Sequence, residues 1–254
     1  MPEINIININ LTPALYIIAT PIGNKKDITL RALETLKNLD IIYCEDTRTS
    51  KKLLDQYDIK TKLASCHEHN EEAISNKIYE QILSNKAIGL ISDAGTPLIN
   101  DPGFKLVRFL HEKNIKVISI PGASALTAAL SIAGAPTDQF SFYGFFPIKK
   151  SNQENIINII KTTQQTSVFY ESPHRILKTL NILNNDLSSS YSIVLCKEIT
   201  KIYENTISGT AQEIINHFDK NPSQLKGEFV ILIYKNINYI QNPDHPAYQY
   251  FGRI

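Results

Sequence analysis

Short apolar runs alternate with amphipathic stretches along this chain, and most of the apolar runs open into loops crowded with Gly, Pro, Asp, Ser and Thr. That rhythm is the signature of strands joined by crossover helices, which bury the sheet they cover. In the first half, residues 15–19, 40–44, 87–91 and 115–120 read as strands. The intervening stretches 28–37, 49–57, 71–83, 101–113 and 124–133 read as helices, with Asp101-Pro102 placed as an N-cap followed by proline at the first helical position. Gly134-Ala135-Pro136-Thr137 interrupts the pattern and reads as a linker. Beyond it, strands are expected over 140–144, 167–170, 192–196, 203–207 and 228–234, with helices over 152–161, 173–183 and 211–218. The expectation is an α/β protein of two lobes, 1–133 built on a mainly parallel sheet and 134–254 on a mixed one. A length of 254 residues suits such a pair.

Charge narrows the function classes. The 26 Lys and Arg are balanced by 25 Asp and Glu, so the global basic excess usual in nucleic-acid binders is missing. Any RNA contact has to be local. Candidate clusters are Lys25-Lys26 with Arg31, Arg48 with Lys51-Lys52, Lys149-Lys150, Arg175 with Lys178, and Lys197 with Lys201. Cys44, Cys66 and Cys196 are far apart and form no CxxC, which suggests core thiols and no zinc site or disulfide framework. The alternating Ile and Asn of the first ten residues lack the basic and apolar regions of a signal peptide, and no run of residues is long and apolar enough for a membrane span. A cytoplasmic protein is expected.

In parallel α/β sheets, ligands sit beyond the carboxyl ends of the strands, so the post-strand loops are where chemistry is sought. They are Thr20-Pro21-Ile22-Gly23-Asn24, Glu45-Asp46-Thr47-Arg48, Ser92-Asp93-Ala94-Gly95-Thr96-Pro97, Pro121-Gly122-Ala123-Ser124-Ala125 and Glu171-Ser172-Pro173-His174-Arg175. The first has no GxGxxG, which argues against a Rossmann-type dinucleotide site. Each loop alone also reads as ordinary turn or helix-start chemistry. The aromatics Tyr16, Tyr143, Phe145 and Phe146 can stack on bases or pack in the core, and core packing is the commoner role.

Taken as an ordered set, TPIGN, EDTR, the segment from Ser65 to Glu71, SDAGTPLINDPG, PGASA, GFFP, ESPHR and KEITK resemble the tetrapyrrole methylase superfamily. Within it they are most similar to the ribose 2′-O-methyltransferases of small-subunit ribosomal RNA. The resemblance runs from about residue 15 to 234. It implies two α/β lobes with the cofactor cleft between them, a fold distinct from the Rossmann-type methyltransferases. It also implies S-adenosylmethionine as cofactor, with Pro21, Ser92, Asp93, Ala94, Gly95, Thr96, Leu98, Ser124 and Ala125 lining it from the first lobe. From the second lobe Tyr170, Glu171, Gly227 and Glu228 would do so. The implied partner is 16S ribosomal RNA in the small subunit, the implied target a cytidine ribose in the decoding region, and the implied assembly a homodimer. Two departures stand out: the loop after GFFP carries fewer basic residues than the family pattern, and the segment after the last strand is short.

Transfer of a methyl group to a ribose hydroxyl is an in-line displacement, in which alignment and removal of the hydroxyl proton both help. Candidate bases are Asp46 and Glu45, then His67, Glu68 and Glu171, with Arg48 placed to meet a flanking phosphate. The spacing of His67 and His69 does not suit a helical metal site, so no metal is expected. Two other readings stay open on sequence grounds: a methylase of a tetrapyrrole or other small molecule, and a non-catalytic RNA-binding or ribosome-assembly protein.

Overall fold

A computed structural model describes residues 10–67 and 69–236. The chain divides into two units, Met1–Ser124 and Ala125–Ile254. The first carries a five-stranded sheet ordered β3-β2-β4-β1-β5, formed by β1 (Ala14–Ile18), β2 (Ile41–Cys44), β3 (Lys62–Ser65), β4 (Ala87–Leu90) and β5 (Val117–Ile120). Every pairing in it is parallel. The chain steps twice toward one edge of the sheet through α1 (Leu30–Asn38) and α2 (Thr47–Asp55). It then returns twice through α3 (Glu71–Leu83) and α4 (Phe104–Glu112). Right-handed crossovers in opposite directions place helices on opposite faces. Accordingly Ala32, Leu36 and Leu54 of α1 and α2 belong to one core layer, and Ile78, Ile82, Leu106 and Leu110 of α3 and α4 to another. Strands β2 and β4 are buried along their whole length, as strands covered on both faces must be.

The second unit begins with α5 (Ala125–Ile132) and contains a mixed sheet ordered β6-β7-β10-β8-β9. Its strands are β6 (Phe140–Phe145), β7 (Thr166–Glu171), β8 (Tyr191–Lys197), β9 (Asn205–Gly209) and β10 (Phe229–Lys235). Strands β6 and β7 are parallel, whereas β10 runs antiparallel to both β7 and β8. Helices α6 (Lys150–Thr162), α7 (Ile176–Asp186) and α8 (Ala211–Lys220) cover one face. Their apolar stripes meet Phe146, Phe169 and Phe229. Phe169 is the hub of that core: Tyr143 stacks on it with centroids 5.2 Å apart and Phe146 meets it edge-on at 5.4 Å. Truncating such a ring to alanine costs about 3–5 kcal/mol. No helix of the described residues is long and apolar enough to cross a membrane.

Three expectations need correction. The chain divides at Ser124/Ala125, not after residue 133, because α5 packs with the second unit, where Ala129 is fully buried and its carbonyl receives the Cys196 thiol. The helix expected from Asp101 starts at Phe104 with Gly103 as its N-cap, since Gly103 sits at a positive φ of 126° that ends the loop. Strand β3 was not expected at all; its sequence, Lys-Leu-Ala-Ser, is half-buried at the sheet edge and has no apolar run to announce it. The remaining helices and strands fall within a few residues of their expected places.

Candidate active site

In the first unit the loops after β1 and β4 leave neighbouring strands for opposite faces, and they are tied to each other. Thr20 donates its backbone N–H to the Gly95 carbonyl at 2.8 Å, and Gly95 returns the bond at 3.0 Å. The Thr20 hydroxyl donates to the Ser92 carbonyl (3.2 Å), and the Ser92 hydroxyl donates to the Gly95 carbonyl (3.2 Å). Thr96 reaches across to the Ala123 carbonyl at 3.0 Å, joining the loop after β5 to the same cluster. Pro21, Ser92 and Gly95 are buried within it, Thr96, Leu98 and Ser124 are half-buried, and Asp93 and Ala94 are exposed. Close backbone approach depends on glycine: a Cβ on Gly122 would lie 2.9 Å from that of Ala19, and Gly95 sits at φ 86°. Leu98 also holds a positive φ, 71°, without being glycine. Such strain in a leucine persists only where surrounding structure dictates the backbone path.

Acidic side chains gather along this edge. Asp46 is the N-cap of α2 and is chelated by Arg48, which places Nε 3.1 Å from Oδ1 and Nη2 2.9 Å from Oδ2, while the Arg48 backbone N–H adds a bond of 2.8 Å. This clasp holds the Asp46 carboxyl down at about 2. A group that acidic is a poor proton acceptor near neutrality, which weakens the case for Asp46 as base. Arg48 remains 87% exposed, so its free edge is available to an anion. Desolvation raises the Asp93 carboxyl; the Asp46 backbone N–H hydrogen-bonded to it opposes the rise, and the Asp46 charge reinforces it. Asp101 is pushed up to about 6, first by burial and then by the charge of Glu45, with Ser92 hydrogen-bonded to it. In the sequence Asp101 reads only as a helix cap; the DPG turn that closes the Ser92 loop is the signal that brings it to this edge. His67 follows β3, with its backbone N–H on Asn70 Oδ1, and its Nδ1 is enclosed with no partner among the described residues. Glu68 lies outside the described residues.

The second unit brings a matching set of strand ends together. Glu171 at the end of β7 and Lys197 at the end of β8 both stand opposite Phe229 at the start of β10. Glu171 is fully enclosed and satisfied: Thr179 donates to it at 2.6 Å, the Ser172 N–H at 2.8 Å, and Arg175 pairs with it at 3.3 Å. Arg175 also donates to the Phe146 carbonyl. Glu171 therefore ties the end of β7 to α7 and orients its surroundings. Tyr170 is half-buried beside Phe142, with ring centroids 4.8 Å apart. Gly227 holds φ 101° against Glu198, and Lys201 bridges Glu198 (2.8 Å) and Glu228 (3.0 Å). Of the basic clusters expected to meet RNA, two are engaged elsewhere. Lys197 is only 6% exposed, and Arg175 points inward to Glu171. No group of three or more metal-ligating side chains occurs among the described residues.

The residues of the first unit fit a cationic, non-phosphate ligand. Small residues let the backbone come close, and Glu45, Asp46, Asp93 and Asp101 set a negative field that favours a positive centre. A phosphate-rich dinucleotide would meet repulsion there.

Residues 14–215 match the family model of tetrapyrrole (corrin/porphyrin) methylases. A ribosomal RNA small subunit methyltransferase I of Halalkalibacterium halodurans is 43% identical over 222 residues, covering 87% of this chain and 76% of the relative. One from Vibrio cholerae is 42% identical over 238 residues, covering 92% and 82%. Among solved structures, diphthine synthase superposes with a TM-score of 0.68 at 14% identity, covering 87% of this chain and 89% of that one. A cobalt precorrin-4 methyltransferase gives 0.61 at 16% identity, with 87% and 94% covered. The chain belongs to the tetrapyrrole methylase family and, within it, to the group of ribosomal RNA small subunit methyltransferase I.

Proposed function

We propose that this protein transfers a methyl group from S-adenosylmethionine to the ribose 2′-oxygen of a cytidine in the decoding region of 16S ribosomal RNA, acting as a cytoplasmic homodimer on the small subunit. The observation that carries the reading is the clasped set of first-unit loops, whose small residues and carboxylates suit a sulfonium-bearing cofactor, in a chain 43% identical to a named ribosomal RNA methyltransferase. A solved relative, a uroporphyrin-III C-methyltransferase, is complexed with S-adenosylhomocysteine, the demethylated product of this cofactor. Bound S-adenosylmethionine supplies a methyl group activated by its positive sulfur. The chain's own residues then have three tasks.

The Thr20–Gly95 pairing and the Thr96–Ala123 bond preset the loops that carry Pro21, Asp93, Ala94, Leu98 and Ser124, which would line the bound cofactor. In the second unit the residues proposed for the cofactor are Ala125, Tyr170, Gly227 and Glu228, and Glu171 fixes the end of β7 there through Thr179 and Ser172. Asp46 orients Arg48, whose exposed guanidinium meets a phosphate flanking the target ribose. The hydroxyl proton goes to a carboxylate whose proton affinity is raised toward neutrality. Asp101, lifted to about 6, has that property; Asp93 is raised in the same direction, and Asp46 is held down at about 2.

Tritiated S-adenosylmethionine offered to 30S subunits, naked 16S RNA and a precorrin mixture tests the proposal. Label in an alkali-resistant dinucleotide from 16S RNA is expected. Label confined to a tetrapyrrole, or to a base and not a ribose, would refute it.

A further inference from the structure

Phe145 ends the edge strand β6 and is half exposed, at 50%, while Ile148 three residues on is exposed by 72%. An extra residue in the strand produces this arrangement. The pairing of β6 with β7 slips between Phe142 and Phe145, and Gly144 takes φ 69° at the slip. Phe142 and Phe145 consequently lie against Tyr170 on one side, at 4.8 and 5.9 Å between centroids, while Tyr143 and Phe146 face Phe169 in the core. A regular strand would alternate without the slip and exchange the faces of both phenylalanines, turning Phe145 into the core and Phe146 out of it.

The turn that follows is held rigidly. Arg175 donates to the Phe146 carbonyl, and the Gln153 amide donates to the carbonyls of Pro147 (2.9 Å) and Ile148 (3.2 Å). Three consecutive carbonyls are thus tied down by side chains, while Phe145, Ile148, Lys149 and Lys150 are left facing outward. Between Asp138 and Glu154 the sequence has no acidic residue.

We infer that this turn is a docking platform for single-stranded RNA, with an unpaired base stacking on Phe145 beside Ile148, and adjacent phosphates meeting Lys149 and Lys150. The inference rests on the reading that the substrate is RNA and adds the surface that grips it outside the methyl-transfer site. The charge selects the occupant: Lys150 lies 4.0 Å from Glu154 in an exposed i,i+4 pair that water screens, and residues 139–153 carry two lysines and no carboxylate, which suits a polyanion. Aromatic stacking with flanking cations is how unpaired strands are held, and a turn already fixed before binding loses little order when it engages.

Fluorescence anisotropy with a fluorescein-labelled 12-mer oligocytidylate, at several salt concentrations, tests it on the full chain. Phe145→Ala should weaken binding roughly 5- to 150-fold, the value of one lost stack, while Phe145→Tyr should retain it. Lys149→Gln with Lys150→Gln should flatten the log–log salt slope by about 1.4. Affinity for S-adenosylmethionine, measured by calorimetry, should stay unchanged in the Lys149→Gln, Lys150→Gln variant. Wild-type protein that does not bind the oligonucleotide, or Phe145→Ala that binds it as wild type does, overturns the inference. So does a Phe145→Ala variant whose native mass changes while its RNA affinity does not, for then the platform seats another copy. Failure of the methyl-transfer reading is separately visible: unlabelled 30S subunits alongside intact, Phe145-dependent oligonucleotide binding would leave the platform standing.

Discussion

Asp101→Asn is expected to make the protein more stable at pH 7.5 and to leave its stability unchanged near pH 4. The carboxyl of Asp101 rises from an ordinary 3.8 to about 6 because burial disfavours its charge and Glu45 and Asp93 repel it. Folding therefore favours the protonated form. That stabilisation is complete below the unfolded value of about 3.9 and disappears as the pH rises through about 6. A shift of about two units corresponds to roughly 3 kcal/mol at most. Since the group is only about half removed from solvent, screening reduces this to about 1–1.5 kcal/mol. Asparagine keeps the shape and a hydrogen bond for Ser92 without the charge. The check is urea unfolding of both proteins by far-UV circular dichroism from pH 4 to 8. The difference between variant and wild type should open between pH 4 and 6 and stay flat above. A difference independent of pH, or a less stable variant at pH 7.5, would refute the reasoning. A carboxylate retained at this cost belongs to activity more than to stability.

Glu171→Gln should lower stability by about 2–3 kcal/mol, less than the 3–5 kcal/mol of a fully buried pair because Arg175 is 28% exposed and keeps the Phe146 carbonyl. A melting temperature lowered by roughly 5–10 °C would confirm it, and an unchanged one would show that the ion pair contributes nothing. Cys44, Cys66 and Cys196 are all buried, with desolvation raising each thiol, Cys66 to about 12 and Cys196 to about 11. Native protein at pH 8 should show no rapid reaction with Ellman's reagent, and denatured protein should show three equivalents.

The sequence made the sheet-and-helix rhythm legible because central strands such as β4 are apolar throughout and amphipathic helices such as α4 carry a clear stripe. It hid β3, a short edge strand in which only Leu63 and Ala64 pack on the core and which is held to β2 by parallel backbone pairing. The post-strand loops were legible as a set, and the structure does gather those of the first unit through Thr20, Gly95, Thr96 and Ala123. Ionisation was not legible. Asp46 and Asp101 are both aspartates in polar loops, yet Arg48 pulls one down to about 2 while burial lifts the other to about 6, and only three-dimensional surroundings distinguish them. The same holds for Arg175 and Lys197, which look like rim charges in one dimension and are turned inward or buried in three.

Strand β10 is the last in sequence but the middle one of its sheet, seated between β7 and β8. During synthesis the first sheet has all its strands once residue 120 has emerged, so that unit can close early. The second cannot: until Phe229–Lys235 is released, β7 and β8 have no strand between them and expose apolar edges to the cell. A message cut short between residue 120 and that strand should yield a chain with one finished half and one sticky half. Completion of translation is in this sense a checkpoint on solubility, and truncated products are natural clients for chaperones and proteases.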